Sequence, residues 1–264
     1  MDAVIALDRT PIASAGADRA IQGLGTTEAE WLGWEYLHRL PALTPAELVP
    51  RGARAVIVAP HPDDEILAVG GLLSRLARVG TPVMIVAVTD GTASHVGSTE
   101  WPVERLARER PRESRLALAR IGIQSELVRM ELPDGRIAEL RDLLTERLAP
   151  MLKAGDVVFT TWRGDGHPDH EATGAACALA ALRAGAYLVE VPVWAWHWAH
   201  PSDTRLPWCR ARRIVLDADD VRRKCDAVQA FTSQLFSDPS TGAGPILRST
   251  TVERASRPFE VVFE

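Results

Sequence analysis

The sequence predicts an α/β protein: a mostly parallel sheet flanked by helices, with late strands able to run antiparallel. Three observations carry this reading. Short apolar runs alternate with longer segments whose apolar residues recur at helical spacing, the pattern of βαβ units. Two short strand-like runs, at 56–59 and 156–161, lead to turns that carry His-Pro-Asp, the first directly and the second through residues 162–166, and then into helical periodicity. And at 264 residues, with 46% hydrophobic and 25% charged residues, the chain can bury one full core.

In chain order, residues 1–52 read as an N-terminal extension packed on a main domain that occupies 53–264. Thr27 with Glu30 fits a capping box opening a short helix through Trp31, Leu32, Tyr36 and Leu37. Pro41, Pro45 and Pro50 then break the chain. Gly23-Leu24-Gly25 has no preceding strand and is followed by Glu28 where a third glycine belongs, so it is not a dinucleotide loop. A strand at 54–59, a helix at 65–79 and a strand at 83–88 follow, the last ending in Thr89-Asp90-Gly91. After a polar loop to about 103 come a helix near 112–121, a strand at 127–130, a helix at 136–153, the strand at 156–161 and a helix at 170–184. Residues 186–198 read as a strand with Trp194, Trp196 and Trp198 on one face and His197 on the other. A strand at 212–216, a helix at 219–231 and a strand at 259–263 complete the set. The stretch 232–258 is polar and Gly/Pro-bearing, of the kind used as a lid or binding loop.

Composition narrows the partners. A net charge of −5 gives no reason to expect nucleic acid or an anionic membrane. The arginines from Arg105 to Arg120 alternate with Glu104, Glu109 and Glu113, as on a solvated helix face. Cys177, Cys209 and Cys225 are widely spaced with no CxxC pair, which suits reduced thiols in a cytoplasmic protein. The N-terminal stretch carries Asp2 and Asp8 and lacks the basic-then-apolar plan of a signal peptide. No apolar run approaches the roughly 20 residues needed to span a bilayer. An oligomer is compatible with all of this.

The chemistry gathers at the two His-Pro-Asp turns. In an open α/β sheet ligands bind outside the carboxyl ends of strands, where both turns fall. Imidazoles and carboxylates so close suit a divalent metal. If His61, Asp64 and His170 hold it, two nitrogens and one carboxylate oxygen leave a coordination position for water, and Asp63 stays free as a general base. His167, three residues before His170, would face the same cavity and as imidazolium could steady an oxyanion or protonate a leaving amine. Asp165 or Asp169 would hold that imidazole in place. Plainer roles compete. Asp63 or Asp169 can be a helix N-cap, worth about 1 kcal/mol. Asp90 either lines the same edge or closes a turn, and the tryptophans either stack on a sugar or pack in the core.

APHPDDE at 59–65 and GHPDHEATG at 166–174 resemble the two signature motifs of the PIG-L/LmbE family of zinc-dependent N-acetylglucosaminyl deacetylases, a likeness running from about residue 54 to the C-terminus. The resemblance implies a Rossmann-like fold and a bound Zn2+, other divalent ions suiting the same donors. It implies His61, Asp64 and His170 as ligands, Asp63 as base and His167 as electrostatic or acid partner. Arg110-Pro111-Arg112-Glu113 with Ala117 and Gly122 resembles the family's RxxE…A…G segment and implies Arg110 near the substrate. Asp90, Trp196 and His197 are further substrate-binding candidates. The implied reaction is hydrolysis of an N-acetyl or other N-acyl group on an amino sugar or sugar-containing small molecule. An amidase acting on a thiol conjugate or acylated natural product is the alternative enzyme. A non-catalytic metal-binding module is the alternative class, in which Asp63 would have no use. The serine-hydrolase elbow GxSxG is absent.

Overall fold

A computed structural model of the chain describes residues 19–125 and 127–264. The N-terminal stretch read above for a signal peptide lies outside the described residues. The elements are α1 (Glu28–Gly33), α2 (Glu35–Arg39), β1 (Ala42–Leu43), α3 (Pro45–Leu48), β2 (Ala55–Ala59), α4 (Asp64–Arg78), β3 (Val83–Thr89), α5 (Val103–Arg120), β4 (Leu127–Leu132) and α6 (Ile137–Leu148). They continue with β5 (Val157–Thr161), α7 (Pro168–Ala184), β6 (Tyr187–Val191), α8 (Ala195–Trp198), β7 (Ala211–Val215), α9 (Ala218–Val228), α10 (Thr232–Leu235), α11 (Ser249–Glu253) and β8 (Phe259–Phe263).

Eight strands form one sheet in the order β1-β7-β8-β6-β5-β2-β3-β4. Only β8, wedged between β6 and β7, runs against its neighbours; every other pair is parallel. The strand Ala55-Val56-Ile57-Val58-Ala59 is apolar throughout because helices cover both its faces. Ile57 packs with Ile66, Leu72 and Val228 on one side, and Val56 and Val58 with Leu144, Ala176 and Ala180 on the other. A third cluster joins Trp31, Leu37, Trp196 and Phe259, tying the first helices to the sheet end that carries β7 and β8.

The order of strands places the chemistry. β2 lies between β3 and β5, with Ala55 opposite Val157 and Val58 opposite Thr160. The turns that follow β2 and β5 therefore leave adjacent strand ends, at the point where the sheet changes its direction of growth.

Helix α4 is broken at Val69, whose φ of −136° and ψ of 26° are not helical. The Leu67 carbonyl and the Gly71 amide, which a straight α-helix would join, are met by an ion pair from outside. Lys224 donates to the Leu67 oxygen at 3.0 Å, and Glu260 accepts from Gly71 and Leu72, both at 2.8 Å. Lys224 and Glu260 are themselves 2.6 Å apart and buried.

Several expectations are corrected. Residues 186–198 are not one strand: β6 ends at Val191, and after Pro192 the buried Asp165 carboxylate accepts from the amides of Val193, Trp194 and Ala195, all at 2.9 Å, so the chain winds into α8. The tryptophans accordingly do not share a strand face. The helix expected near 112–121 begins at Val103 and carries Pro111 in its interior. The helix opened by the Thr27 capping box ends at Gly33, and a second one starts at Glu35. The sheet also reaches into the N-terminal extension, since Ala42 and Leu43 pair with Arg213 and Ile214. The stretch 232–258 contains α10 and α11, and its Asp238 bridges Ala243.

Candidate active site

His61, Asp64 and His170 converge at the adjacent ends of β2 and β5. His61 Nδ1 lies 3.3 Å from His170 Nε2 and 3.3 Å from Asp64 Oδ2, and His170 Nε2 lies 3.2 Å from that same oxygen. The outward nitrogen of each ring is held by carboxylates. His61 Nε2 faces Asp134 Oδ1 at 3.1 Å and Asp169 Oδ2 at 3.3 Å; His170 Nδ1 faces Asp165 Oδ2 at 2.8 Å. A proton on each outward nitrogen leaves both inward lone pairs aimed beside the Asp64 oxygen. These three donors suit a divalent ion, with carboxylate partners behind both imidazoles as metal-binding histidines commonly have. The electrostatics agree. Burial works against charge on His170, but Asp64 and Asp165 outweigh it and raise the imidazole to about 9. Asp64 is lowered in spite of its burial, chiefly by His170. The donor set attracts positive charge, and a divalent cation would supply it.

Asp63 stands beside this set and serves none of it. It occupies the N-cap position of α4 with φ at 134°, and its side chain makes no capping bond, so the N-cap role is not what it does. Its carboxylate instead accepts from Arg110 Nη2 at 3.0 Å. Burial lifts Asp63 to about 7, against the downward pull of Arg110. Arg110 also donates to the Pro62 and Gly91 carbonyls, each at 2.7 Å. Gly91 has φ at 65°, and a Cβ there would lie 1.7 Å from Arg110 Nη1, so only glycine leaves the guanidinium its place.

His167, not Asp169, caps α7: its Nδ1 accepts from the Asp169 amide at 3.2 Å. That bond fixes the tautomer and leaves Nε2 as the N–H donor. Burial first, then the neighbouring His170 and His61, push this imidazole down to about 3, so the structure favours a neutral donor over the imidazolium expected from sequence. Asp165 and Asp169 orient His170 and His61 rather than His167.

A cavity of about 460 Å³ opens over these groups, its floor including His61, Asp63, Asp64, Asp134 and His167. Arg110 lines it. Three other substrate-binding candidates do not. Asp90 is held away by Arg129 at 2.6 and 3.0 Å. Trp196 is buried against Trp31, with ring centroids 4.9 Å apart. His197 lies 3.0 Å from the Gln22 carbonyl. Sequence reasoning missed Asp134, which sits in Leu132-Pro133-Asp134-Gly135 and looks like turn chemistry alone. Of the three tryptophans weighed between sugar stacking and core packing, Trp194 lines the cavity, its ring stacked on His167 at 6.5 Å and 21°.

Fold and donor set together define a Rossmann-like α/β domain with a candidate metal centre at its switch point. Residues 56–181 match the model of the PIG-L family, described as GlcNAc-PI de-N-acetylase. It is 31% identical over 147 residues to a 1D-myo-inositol 2-acetamido-2-deoxy-alpha-D-glucopyranoside deacetylase of Corynebacterium diphtheriae, covering 45% of this chain. The match spans about half of that relative, 49% of its length. Among solved structures, a conserved protein from Thermus thermophilus is similar at 25% identity and a TM-score of 0.54, over 76% of this chain and 84% of that one. The A40926 pseudoaglycone deacetylase Dbv21 shares the fold at 23% identity and a TM-score of 0.59, over 80% and 96% of the two chains.

Proposed function

We propose that this chain is a metal-dependent hydrolase that removes the N-acetyl group from an amino sugar or a small molecule containing one, with zinc as the resident ion. The observation that carries the proposal is a buried, unligating Asp63 beside three converging donors on the floor of a substrate-sized cavity. The relative that deacetylates an acetamido-glucopyranoside supports the substrate class.

Each residue has a distinct task. His61, Asp64 and His170 would hold the ion, which when bound lowers the pKa of water and polarises a carbonyl oxygen. Asp134, Asp169 and Asp165 fix the two imidazoles so that their lone pairs stay aimed inward. Asp63, near its balance point at neutral pH, takes the proton of the attacking water and gives it to the amine nitrogen as the C–N bond breaks. Arg110 keeps that carboxylate directed at the cavity from a buried, fixed position. The Nε2–H of His167 donates to the oxygen on which charge develops as the amide carbonyl becomes tetrahedral. The bond from the Asp169 amide to Nδ1 orients the His167 ring.

The test is a panel of N-acetylated amino sugars and their glycosides, with acetate and free amine both quantified against metal-loaded protein. Equimolar release of the two is expected from at least one member. Release from none would overturn the reading.

A further inference from the structure

Part of the cavity wall comes from outside the two motifs. Residues 21–23, Gln234, residues 246–248 and Thr251 contribute to it. Two arginines line the cavity, and they differ. The Arg110 guanidinium is occupied by Asp63 and two carbonyls. Arg248 has no hydrogen-bond or ion-pair partner for its guanidinium among the described residues. Its Nη1 rests against Gly244, where a Cβ would lie 2.4 Å away. Arg254, three residues beyond the lining Thr251, meets neutral oxygens only, those of Thr251, Thr26 and Trp196. Arg257 does have a carboxylate partner, Glu28, at 2.7 and 2.8 Å. The wall thus carries uncompensated positive charge, while the floor is acidic with Asp63, Asp64 and Asp134.

A second orphan stands in this wall. Gln234 is fully buried and lines the cavity, and its Oε1 has no hydrogen-bond partner. Its main chain is joined to the arginine-bearing segment, because the Leu247 amide donates to the Gln234 carbonyl at 2.9 Å. A buried amide oxygen left open carries a desolvation cost that a ligand donor would remove. An arginine and an open amide oxygen lining one cavity select a molecule that carries an acid and also a hydroxyl or N–H.

We propose that Arg248 and Gln234 form a subsite for an anionic group on the substrate, a carboxylate or a phosphate monoester attached beyond the amino sugar, with Gln234 accepting from a neighbouring hydroxyl. This rests on the deacetylase reading and narrows it to acidic conjugates. The polarity of the cavity then orients the molecule. With the acid held by Arg248, the uncharged acetamide is left over Asp63.

The test uses three N-acetylglucosaminides with one linker, ending in a carboxylate, a phosphate monoester or an uncharged hydroxyl, and the matching glucosaminides as non-hydrolysable binding probes. Turnover is measured on the first set and Kd on the second, for wild type, Arg248→Gln and Arg248→Lys, with metal content and Tm checked for each. Wild type should favour at least one anionic member by about tenfold or more in KM and in Kd, as for a hydrogen bond to a charged group. Arg248→Gln should collapse that gap and Arg248→Lys restore part of it. The two anionic arms identify which acid is taken. Equal affinity of wild type for all three, or an equal loss on all three in Arg248→Gln, overturns the subsite. If no member is hydrolysed but the Arg248-dependent gap in Kd persists, the subsite stands and the deacetylase reading falls.

Discussion

Arg110 donates to Asp63 at 3.0 Å, and the two are buried together beneath the cavity. The same guanidinium holds the carbonyls of Pro62 and Gly91, so the turns after β2 and β3 are fixed to the proposed base by one side chain. Asp63→Asn keeps the shape and should keep the metal while lowering kcat by about 10²- to 10⁴-fold. Arg110→Gln removes a positive charge from beside Asp63, which raises the carboxylate further and should move the acid limb of kcat/KM to higher pH. A metal-loaded Asp63→Asn protein with near-normal kcat, or an Arg110→Gln protein whose acid limb stays in place, would refute these roles.

His167 combines a helix cap with a donor to the reaction, and two substitutions separate them. Asn can cap a helix, so His167→Asn should retain Tm and lose about 10²- to 10³-fold in kcat with little change in KM. His167→Ala should lose the same activity and about 1 kcal/mol of stability as well. Activity that follows Tm across the pair would leave capping as the only role.

Asp165 and Asp169 each stand behind a different imidazole. Asp165→Asn should weaken zinc affinity by about 10- to 100-fold, measured by chelator competition, with Asp63 still in place. Asp169→Asn should weaken it less, because Asp134 also faces His61 Nε2, at 3.1 Å. Unchanged affinity in Asp165→Asn would show that its purpose is confined to the Val193–Ala195 amides.

Lys224 and Glu260 are joined to the broken turn of α4, and removing one leaves the other buried without its countercharge. Glu260→Ala should cost about 3–5 kcal/mol in urea unfolding. The double replacement Lys224→Met with Glu260→Gln should cost less than the sum of the single ones. Additive losses would mean the two act independently.

Glu190 supplies a pH prediction. Burial would raise its pKa, but Arg163, through side chain and amide, and Arg210 outweigh that and lower it below the ordinary 4.5. A carboxylate lowered on folding stabilises fully above its unfolded pKa and loses that contribution as pH falls through its folded value. Tm should therefore decline as pH drops below about 4.5, and Glu190→Gln should lose part of that decline. A parallel decline in both proteins would assign the acid sensitivity to other carboxylates.

The two motif turns were legible in sequence because each is a strand, a polar cluster and a helix within a short stretch, and local pattern suffices to see that. His61 and His170 meet because β2 pairs with β5, a non-sequential pairing that the α/β pattern left open. Asp134 was not legible: its approach to His61 depends on where β4 ends, and Pro-Asp-Gly has an adequate local explanation as a turn. The strand expected through Trp198 failed for a tertiary reason, since Asp165 captures three successive amides that a sheet would otherwise use. β1, at two residues, is too short to show any period. Arg248 and Gln234 carry no motif at all, and only the folded chain brings them to the cavity wall.

The two-residue β1 also bears on how copies of this chain behave in a crowded solution. It ends the sheet on one side, pairing Ala42 and Leu43 with β7, and beyond it no further strand is present among the described residues. At the other side β4 carries Arg129 and Glu131, the latter at φ 53°, and its register against β3 slips between Ala87 and Thr89. Neither border is a long flat ladder that a neighbouring molecule could extend, so association through added strands is discouraged at both. Detachment of β1 would uncover one side of β7 and turn a guarded border into a template for aggregation.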